Sequence, residues 1–440
     1  MALAAEVKGG LAVAALVLVA GAFTINDSLV GVFYDDGLYA GLATALASGL
    51  GYVHPHLPGT PAAVHYPPLY PLMLTPLFGL LPVSAAALAA KVVNLVLAAV
   101  GAGLVAWHAA RTELLDPAAP RWLAPVLVAA AALAIPVLAI QSVLFAEPLF
   151  FVLLATAVIL ADRGGSPWLI GTAVALAVLT RSIGVAAGAG IACFLFLRRA
   201  PWRTVARTLA PVVAAGAAWS VWVLAHEGGI DPAVALGYGS YGEHLRQAGL
   251  SALGVNAPDL PRPIETITLR WIPVRWVYHL TATAALGVGL YGLTLLARRS
   301  AIGFTLAFYL LILAIWPHPP DRFLWAVLPW LALAWAVGAL EFWRRWAPLR
   351  IPVALLAALL VGGYLHYEIR GFSGRWWETQ ARAISANFAD LLPVIAHLPA
   401  DAVVATDDEP LVWLYTRRTA VPLYLERYRG REPVRPTPPE

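Results

Sequence analysis

Residues 84–109 read SAAALAAKVVNLVLAAVGAGLVAWHA, an apolar run in which Lys91 is the one charged side chain. A helix of about 20 apolar residues crosses the roughly 30 Å hydrocarbon layer of a bilayer, so this run is long enough to span a membrane. Similar runs occur at 9–25, 122–139, 145–161, 166–180, 183–197, 207–225, 277–297, 301–316, 323–342 and 351–367. The pattern predicts an all-α polytopic membrane protein with about 11 transmembrane helices.

The composition of the 440-residue chain points the same way. Hydrophobic residues make up 60% and charged residues 12% of the chain, against about 45–50% and about 25% in ordinary soluble domains. These fractions argue against a water-soluble fold and against a disordered chain. A disulfide scaffold is excluded because Cys193 is the single cysteine. The net charge of +4 does not indicate a nucleic-acid partner, because the arginines collect in short loops between the apolar runs.

Basic residues beside the apolar runs indicate the orientation, because cytoplasmic loops carry an excess of lysine and arginine. The pairs Arg198–Arg199, Arg298–Arg299 and Arg344–Arg345 all fall on the cytoplasmic side if the N-terminus is cytoplasmic. We therefore expect a cytoplasmic N-terminus and an extracytoplasmic C-terminus. Short loops and a composition rich in alanine and arginine favour the inner (cell) membrane of a bacterium over the endoplasmic reticulum.

The loop lengths divide the chain into two predicted parts. Residues 1–367 form a transmembrane module with two long outer loops, 26–83 (the first loop) and 226–276 (the second loop). Residues 368–440 form an extracytoplasmic part, here called the C-terminal unit. Because the elaborate segments share one side of the membrane, we expect the chemistry to face outward. The second loop either covers the active site or lies on the membrane.

The C-terminal unit alternates between helix and strand signals. The run at 376–397 predicts an amphipathic helix, AVVAT at 402–406 a strand, LVWLYT a short helix and TAVPLYL a second strand. These elements predict a small α/β unit, followed by a disordered stretch, GREPVRPTPPE. The acidic run of Asp407, Asp408 and Glu409 either binds an acceptor or a cation, or forms a solvated turn before a helix.

Two adjacent carboxylates, Asp35 and Asp36, open a stretch of helical composition in the first loop. One interpretation is structural: Asp36 caps the helix by accepting hydrogen bonds from first-turn N–H groups, and Asp35 is solvated. The functional interpretation is that one carboxylate is held at the membrane surface as a general base. Both interpretations remain open on this pair alone.

Histidines and tyrosines follow in the same loop. The candidates for a substrate-binding loop are His54, His56, His65, Tyr66 and Tyr70. The histidines and the nearby aspartates are possible ligands of a divalent cation, but their spacing matches no zinc template. We therefore expect no metal site and no required cofactor. The two tyrosines suit a membrane interface, and the paired prolines between them favour a rigid re-entry into the bilayer.

This loop resembles the GT-C glycosyltransferases, among them the protein O-mannosyltransferases and the lipid A aminoarabinose transferases. The similarity lies in an acidic pair soon after the first span, a short helix, a Gly-Tyr turn and YPPLYPLML leading into the second span. FAEPLF at 145–150 resembles the second acidic position of the family. RFL at 322–324 with Pro329 resembles the pattern that opens a late span. The resemblance implies a polyprenyl-phosphate sugar donor, an active site on the outer face, and Asp35 as the catalytic carboxylate.

Sugar transfer requires a base for the acceptor hydroxyl and cations for the departing phosphate. Asp35 is the expected base, and Asp36 either orients it or caps the helix. Glu147, at the outer end of a span, is the second catalytic candidate, because a charge so near hydrocarbon is costly unless it is paired. The alternative for Glu147 is a capping or snorkelling side chain.

Three cations at outer span ends are candidates for binding the donor phosphate: Arg181, Arg322 and Lys91. Arg181 lies between two apolar runs, where it opposes the positive-inside trend and so indicates a specific partner. Alternatively, Arg322 pairs with Asp321, and Lys91 snorkels outward without a catalytic role. Arginine suits phosphate better than lysine because its planar fork makes two hydrogen bonds at once.

These residues predict an integral membrane glycosyltransferase (a hexosyl- or pentosyltransferase) that acts among membrane lipids. The acceptor is a hydroxyl on a glycan, lipid or protein, and transfer proceeds with inversion if Asp35 activates that hydroxyl for direct displacement. The alternatives are a transporter or flippase of lipid-linked sugars, which favours ionisable groups near the bilayer midplane, and a non-catalytic scaffold. The enzyme requires Asp35, Glu147 and Arg181 to converge beneath the first loop.

Overall fold

The computed structural model describes residues 4–231, 234–249, 253–316, 318–423, 427–429 and 432–434. Helices dominate. The first half contains α1 (Ala5–Ala22), α2 (Asp35–Ala47), α3 (Leu69–Leu80), α4 (Val83–Arg111), α5 (Leu123–Leu133), α6 (Ile135–Gln141), α7 (Glu147–Asp162), α8 (Pro167–Thr180), α9 (Val185–Leu197) and α10 (Trp202–His226).

The second half begins with short helices in the second loop and continues with longer ones. They are α11 (Ala235–Tyr238), α12 (Tyr241–Ala248), α13 (Leu253–Asp259), α14 (Arg262–Ile264), α15 (Arg275–Leu296), α16 (Ala301–Ile315), α17 (Asp321–Trp325), α18 (Leu328–Arg345), α19 (Arg350–Gly374) and α20 (Thr379–Ala396). The C-terminal unit then adds β1 (Val403–Thr406), α21 (Glu409–Thr416), β2 (Thr419–Pro422), β3 (Arg427–Arg429) and β4 (Glu432–Val434).

Several helices are both long and apolar, as a multi-pass membrane protein requires. Five in the described residues are long enough to cross a membrane, or six if a bent pair is counted as one span. The five lie at Ala5–Ala22, Val83–Arg111, Trp202–Gly229, Arg275–Leu296 and Ala347–Ala396. Shorter apolar helices occur at Leu69–Leu80, Pro167–Thr180, Ser182–Leu197 and Ala301–Ile315. The total of eleven spans remains a prediction.

The bent pair corresponds to the predicted span 122–139, which the structure breaks between α5 and α6. The two helices meet at 64°. Pro136 has no N–H to donate to the carbonyl four residues earlier, and its ring crowds that carbonyl, which favours a break at this point. The break leaves the N–H of Ile135 without a helical partner. Glu368 of α19 accepts its hydrogen bond at 3.2 Å.

A buried amide in α4 fixes the start of α7. Asn94 donates from Nδ2 to the carbonyls of Val143 at 2.8 Å and Phe145 at 3.0 Å. The hydroxyl of Tyr70 donates to Asn94 Oδ1 at 3.1 Å. Asn94 is fully buried, and such a group is stable in a core only when its hydrogen bonds are made. These contacts hold the turn that leads into Glu147.

In the C-terminal unit, β1 and β2 form a parallel pair, with Val403 opposite Thr419, and α21 connects them. Parallel neighbours need such a crossover because a short hairpin reverses the strand direction. β3 and β4 pair antiparallel. Residues 432–434 thus form a strand within the stretch GREPVRPTPPE, for which the sequence predicts disorder. The rest of that stretch lies outside the described residues.

Candidate active site

Two carboxylates and two arginines from four separate segments meet in one cluster. Arg322 of α17 donates from Nη1 to Asp35 Oδ2 at 2.5 Å and from Nε to Glu147 Oε1. Arg181, directly after α8, places Nη1 at 2.5 Å from the same oxygen of Glu147. Arg322 therefore joins the two carboxylates, and the charges of the four groups balance.

Helix ends position these groups. Asp35 and Glu147 are the first residues of α2 and α7, where the positive end of the helix dipole stabilises a carboxylate. Arg181 is in extended backbone, with φ −148°, in the break between α8 and α9. Each of the four groups therefore lies at an element boundary.

The cluster is closed at one end and partly open at the other. The side chain of Glu147 is 1% exposed and that of Arg181 is 8% exposed, whereas those of Asp35 and Arg322 are 19% and 29% exposed. Glu147 Oε2 is buried and has no hydrogen-bond partner among the described residues. A ligand can reach Asp35 and Arg322 directly, while Glu147 and Arg181 lie behind them.

Aromatic rings flank both arginines. The guanidinium of Arg322 lies 3.9 Å from the ring centroid of Phe145, and that of Arg181 lies 4.6 Å from the centroid of Phe323. Such contacts are favourable for a cation and restrict where it can point. The hydroxyl of Tyr309 donates to the carbonyl of Phe323 at 2.8 Å, which holds the backbone next to Arg322.

Asp35 is held in its ionised form. Burial alone would raise its pKa, but the charge of Arg322 and hydrogen bonds from Tyr66 and Arg322 outweigh burial, so the pKa of Asp35 lies below its usual range. The hydroxyl of Tyr66 donates to Asp35 Oδ1 at 2.6 Å. The rings of Tyr66 and Tyr70 each meet the ring of Tyr39 at a centroid distance of 4.9 Å. Tyr66 thus contacts the cluster directly, whereas the sequence predicted it only as a residue of the substrate loop at the membrane interface.

Asp36 has other partners. Its carboxylate accepts from the N–H of Gly31 at 2.9 Å and from the N–H of Phe33 at 3.1 Å. Asp36 is the second residue of α2, whose N-cap is Tyr34 and has no side-chain cap bond, so the interpretation of Asp36 as the helix cap is wrong. It makes no hydrogen bond to Asp35 among the contacts of the described residues, so it does not orient that side chain directly. Burial raises the pKa of Asp36 to about 6, although these hydrogen bonds oppose the rise.

The ammonium of Lys91 is bound to the start of the first loop. It donates to the carbonyl of Asn26 at 2.8 Å, to its side-chain oxygen at 3.2 Å and to the carbonyl of Ser28 at 3.2 Å. The structure therefore shows Lys91 attaching this loop to α4, and does not bring it into contact with the arginine cluster. Arg322, in turn, pairs with Asp35 and Glu147 rather than with Asp321.

The histidines form two groups, both in contact with the second loop. His65 donates from Nδ1 to the carbonyl of Gly239 at 2.7 Å. His54 and His56 pack around the ring of Tyr238, at centroid distances of 4.8 Å and 5.4 Å. Burial lowers the pKa of both His56 and His65 to about 3, so both are neutral at physiological pH. The second loop therefore covers the first.

A metal site is not apparent among these side chains. In the part of the chain that the structure describes, no group of three or more His, Cys, Asp or Glu side chains could hold an ion. The two arginines carry the positive charge that an anionic ligand would meet in this cluster.

Two residues of the site were not predicted from the sequence. Asn94 was hidden inside a predicted span, although a lone amide there is a signal, because polar groups in spans are costly unless they are bonded. Glu409 was assigned only to an acidic run. In the structure it is 1% exposed and accepts hydrogen bonds from two tyrosines of the first and second loops.

The cluster can perform two chemical tasks. A hydroxyl that reaches Asp35 meets an ionised carboxylate able to accept its proton. An anion that reaches the open end meets the planar guanidinium of Arg322, whose geometry suits phosphate or carboxylate.

Comparison with solved structures identifies the fold. ArnT from Cupriavidus metallidurans bound to undecaprenyl phosphate aligns with a TM-score of 0.58 at 14% identity, covering 93% of this chain and 84% of that chain. ArnT in the apo state aligns with a TM-score of 0.48 at 16% identity and with the same coverage of both chains. The archaeal oligosaccharyltransferase AglB from Archaeoglobus fulgidus, in complex with an inhibitory peptide and a dolichol-phosphate, gives 0.45 at 12% identity, covering 93% of this chain and 64% of that chain.

The first similarity shows that this chain shares the fold of ArnT. Neither a protein-family model nor a curated protein matches the sequence.

Proposed function

We propose that the chain is a glycosyltransferase that moves a sugar from a polyprenyl-phosphate donor to an acceptor hydroxyl on a glycan, lipid or protein. The observation that carries this proposal is the cluster of Asp35, Glu147, Arg181 and Arg322, open at Asp35 and Arg322. Support comes from the fold, which is that of ArnT, a protein solved with undecaprenyl phosphate bound. The site faces outward if the N-terminus is cytoplasmic, as the basic loops predict.

Arg322 is the proposed contact for the donor phosphate. It is the more exposed of the two arginines and can turn one edge of its guanidinium to a ligand. Arg181 lies behind it and holds Glu147. Glu147 therefore keeps Arg322 at the open end of the cluster. When the donor binds, its phosphate takes the place of Asp35 as the second anionic partner of Arg322.

This exchange of partners activates the base. Arg322 keeps the pKa of Asp35 low, so Asp35 is a weak base while the two are paired. When the phosphate draws Arg322 away, the pKa of Asp35 rises and its affinity for a proton increases. Asp35 then takes the proton of the acceptor hydroxyl, and the acceptor oxygen bonds to the anomeric carbon. The bond from that carbon to the phosphate oxygen breaks, and polyprenyl phosphate leaves. Attack opposite the leaving group inverts the anomeric carbon.

An apolar cavity whose wall begins two residues after Arg322 is the proposed site for part of the lipid tail. It has a volume of about 270 Å³ and lies between α5, α15, α18 and α19. Leu324 and Leu328, which follow Arg322 in the chain, form part of its wall with Ile264 and Leu293. A wall of this kind favours hydrocarbon over water. A lipid with its tail in this cavity has its headgroup near α17.

The test is a transfer assay with the purified full-length protein. Radiolabelled polyprenyl-phosphate sugars are incubated with the protein and a membrane extract, and the labelled product is identified. The proposal predicts product with at least one donor and at least about 100-fold slower formation of it by an Asp35→Asn variant. Movement of labelled lipid across reconstituted vesicles without any new product would identify a transporter instead. Absence of both activities across the donor panel would overturn the enzymatic proposal.

A further inference from the structure

Glu409 is a buried carboxylate that connects three distant segments. Glu409 is the first residue of α21. Its Oε1 accepts hydrogen bonds from the hydroxyl of Tyr34 at 3.0 Å and from the hydroxyl of Tyr238 at 2.6 Å. The hydroxyl of Tyr238 also lies 2.9 Å from His56 Nε2. The first loop, the second loop and the C-terminal unit therefore share one hydrogen-bonded group, and Glu409 is not a solvated turn residue.

Tyr34 immediately precedes Asp35 and has an unusual backbone. Its φ is 64°, in the left-handed region that bulky residues rarely adopt. The chain turns tightly here, because the N–H of Asp35 donates to the carbonyl of Phe33 at 2.7 Å. Such a conformation persists only where surrounding contacts hold it. The hydroxyl of Tyr34 is held by Glu409, so the direction of Asp35 depends on that contact.

The C-terminal unit supports the first loop on both sides of Asp35. The N–H of Val30 donates to the hydroxyl of Tyr415 at 3.0 Å, and the N–H of Ala420 donates to the carbonyl of His56 at 2.9 Å. Gly31, with φ 105°, lies so close to Leu411 that a Cβ atom at position 31 would come within 2.5 Å of it. This contact requires glycine for both its backbone angle and its lack of a side chain.

We infer that the C-terminal unit is part of the active site and that Glu409 is a positioning residue for Asp35. The inference rests on the proposed function, because it gives Asp35 the role of base. Glu409 does not touch the substrate. It acts through Tyr34, whose backbone sets where the carboxylate of Asp35 points relative to Arg322 and Tyr66.

The experiment compares full-length variants for turnover, donor KM, thermal unfolding and hydrogen exchange of the backbone at 31–38. Glu409→Ala should lower kcat about 100-fold, as a small misplacement of a catalytic group does, with donor KM changed by less than about twofold. Glu409→Gln keeps an acceptor oxygen and should recover most of the rate. Tyr34→Phe removes one hydroxyl and should also lower kcat.

Asp407→Ala is the matched control, because Asp407 is exposed two residues before Glu409. It should keep wild-type kcat and wild-type exchange. Hydrogen exchange at 31–38 should be faster in Glu409→Ala and in Tyr34→Phe, with the transmembrane helices unchanged. If Glu409→Ala does not fold, Tyr34→Phe and Glu409→Gln give the same readouts.

If hydrogen exchange at 31–38 is faster in Glu409→Ala and Tyr34→Phe but the protein transfers no sugar, Glu409 does position this segment and the proposed function is overturned. Wild-type kcat and unchanged exchange in Tyr34→Phe and Glu409→Ala, in an active enzyme, would overturn the inference. A loss of kcat that follows only a lower unfolding temperature, with exchange at 31–38 unaltered, would also overturn it, since Glu409 would then be merely structural.

Discussion

The two ends of the charged cluster contain the same chemistry in different surroundings. Asp35 and Glu147 each begin a helix and each accept a hydrogen bond from Arg322. Glu147 also has Arg181, and its side chain is 1% exposed, whereas that of Asp35 is 19% exposed. The difference shows that accessibility separates the two roles: Asp35 can meet a substrate, while Glu147 holds the arginines.

Replacing each of the two carboxylates should have the largest effect on turnover and so tests this comparison most directly. Asp35→Asn preserves size but cannot take a proton, so turnover should fall by about 10²–10⁴-fold. Donor binding should be at least as tight as in the wild type, because no carboxylate then competes with the phosphate for Arg322. Glu147→Gln should retain more turnover and lose more thermal stability, because Arg181 and Arg322 lose a buried charged partner. Single-turnover rates and unfolding temperatures give both quantities. An inactive Glu147→Gln beside an active Asp35→Asn would reverse the two roles.

Asp36 sharpens the comparison because it is a buried carboxylate that no arginine contacts among the described residues. Its pKa is about 6 in the folded protein and near 3.9 when unfolded, so the folded state binds the proton more tightly. Its contribution to the free energy of unfolding should therefore grow as pH falls from about 6 to about 4, by up to about 3 kcal/mol, and be absent above pH 6.

The pH dependence of unfolding in Asp36→Asn measures this contribution, since the variant should lose the slope between pH 4 and pH 6. Asp27→Asn, which changes an exposed carboxylate of the same loop, is the control and should keep the slope. The contribution of Asp35 to the free energy of unfolding has the opposite pH dependence, because its pKa is lowered on folding. It stabilises the fold above the unfolded pKa of Asp35 and is lost as pH falls through the lower folded pKa. An unaltered slope in Asp36→Asn would show that other groups cause it.

Arg322 links the two ends, and its removal should weaken donor binding as well as turnover, because the phosphate is charged before the reaction starts. Hydrogen bonds to charged groups contribute about 1.5–3 kcal/mol, which corresponds to about 10–100-fold in donor Kd for Arg322→Ala. Lysine should recover this only in part, because it lacks the planar fork. Titration with a polyprenyl phosphate gives the Kd. Wild-type affinity in Arg322→Ala would remove this arginine from the phosphate site.

Tyr66→Phe should have the smallest effect. It removes the hydroxyl that donates to Asp35 at 2.6 Å and leaves the ring packed on Tyr39. A hydrogen bond to a charged group contributes about 1.5–3 kcal/mol, but this one stabilises the ionised base and so also weakens it. Because its loss makes Asp35 a stronger base, turnover should change by less than about tenfold. A pH–rate profile should show that Asp35 is protonated at a higher pH than in the wild type. A profile identical to that of the wild type would mean that Arg322 alone sets the pKa of Asp35.

The sequence predicted the members of the cluster better than their arrangement. Glu147, Arg181 and Arg322 stand out because each places a charge at the edge of an apolar run, where it is costly without a partner. Asp35 stands out as one of an acidic pair in the first loop. Their pairing was not predictable, since Asp35 and Arg322 are 287 positions apart and no local pattern encodes such a distance. Lys91 is a charge of the same kind, but its partners are carbonyl oxygens, which every residue carries.

Local rules also failed where tertiary contacts override them. An aspartate beside a helix start is usually a cap, yet Asp36 turns back to Gly31 and Phe33. An acidic run after a strand is usually solvated, yet Glu409 is buried by loops that are far away in the sequence. Pro136 is a local signal for the break that ends α5, although Pro211 lies inside the continuous helix α10.

The hydrogen bond from Ile135 to Glu368 has a consequence for biogenesis. Its partners are separated by 233 positions, so the α5–α6 bend enters the bilayer well before the carboxylate that satisfies it has been synthesised. At about 5–20 residues per second, translation takes on the order of ten to fifty seconds to cover that interval. During this time Glu368 is not available to the N–H of Ile135, and this hydrogen bond can form only after α19 has been synthesised.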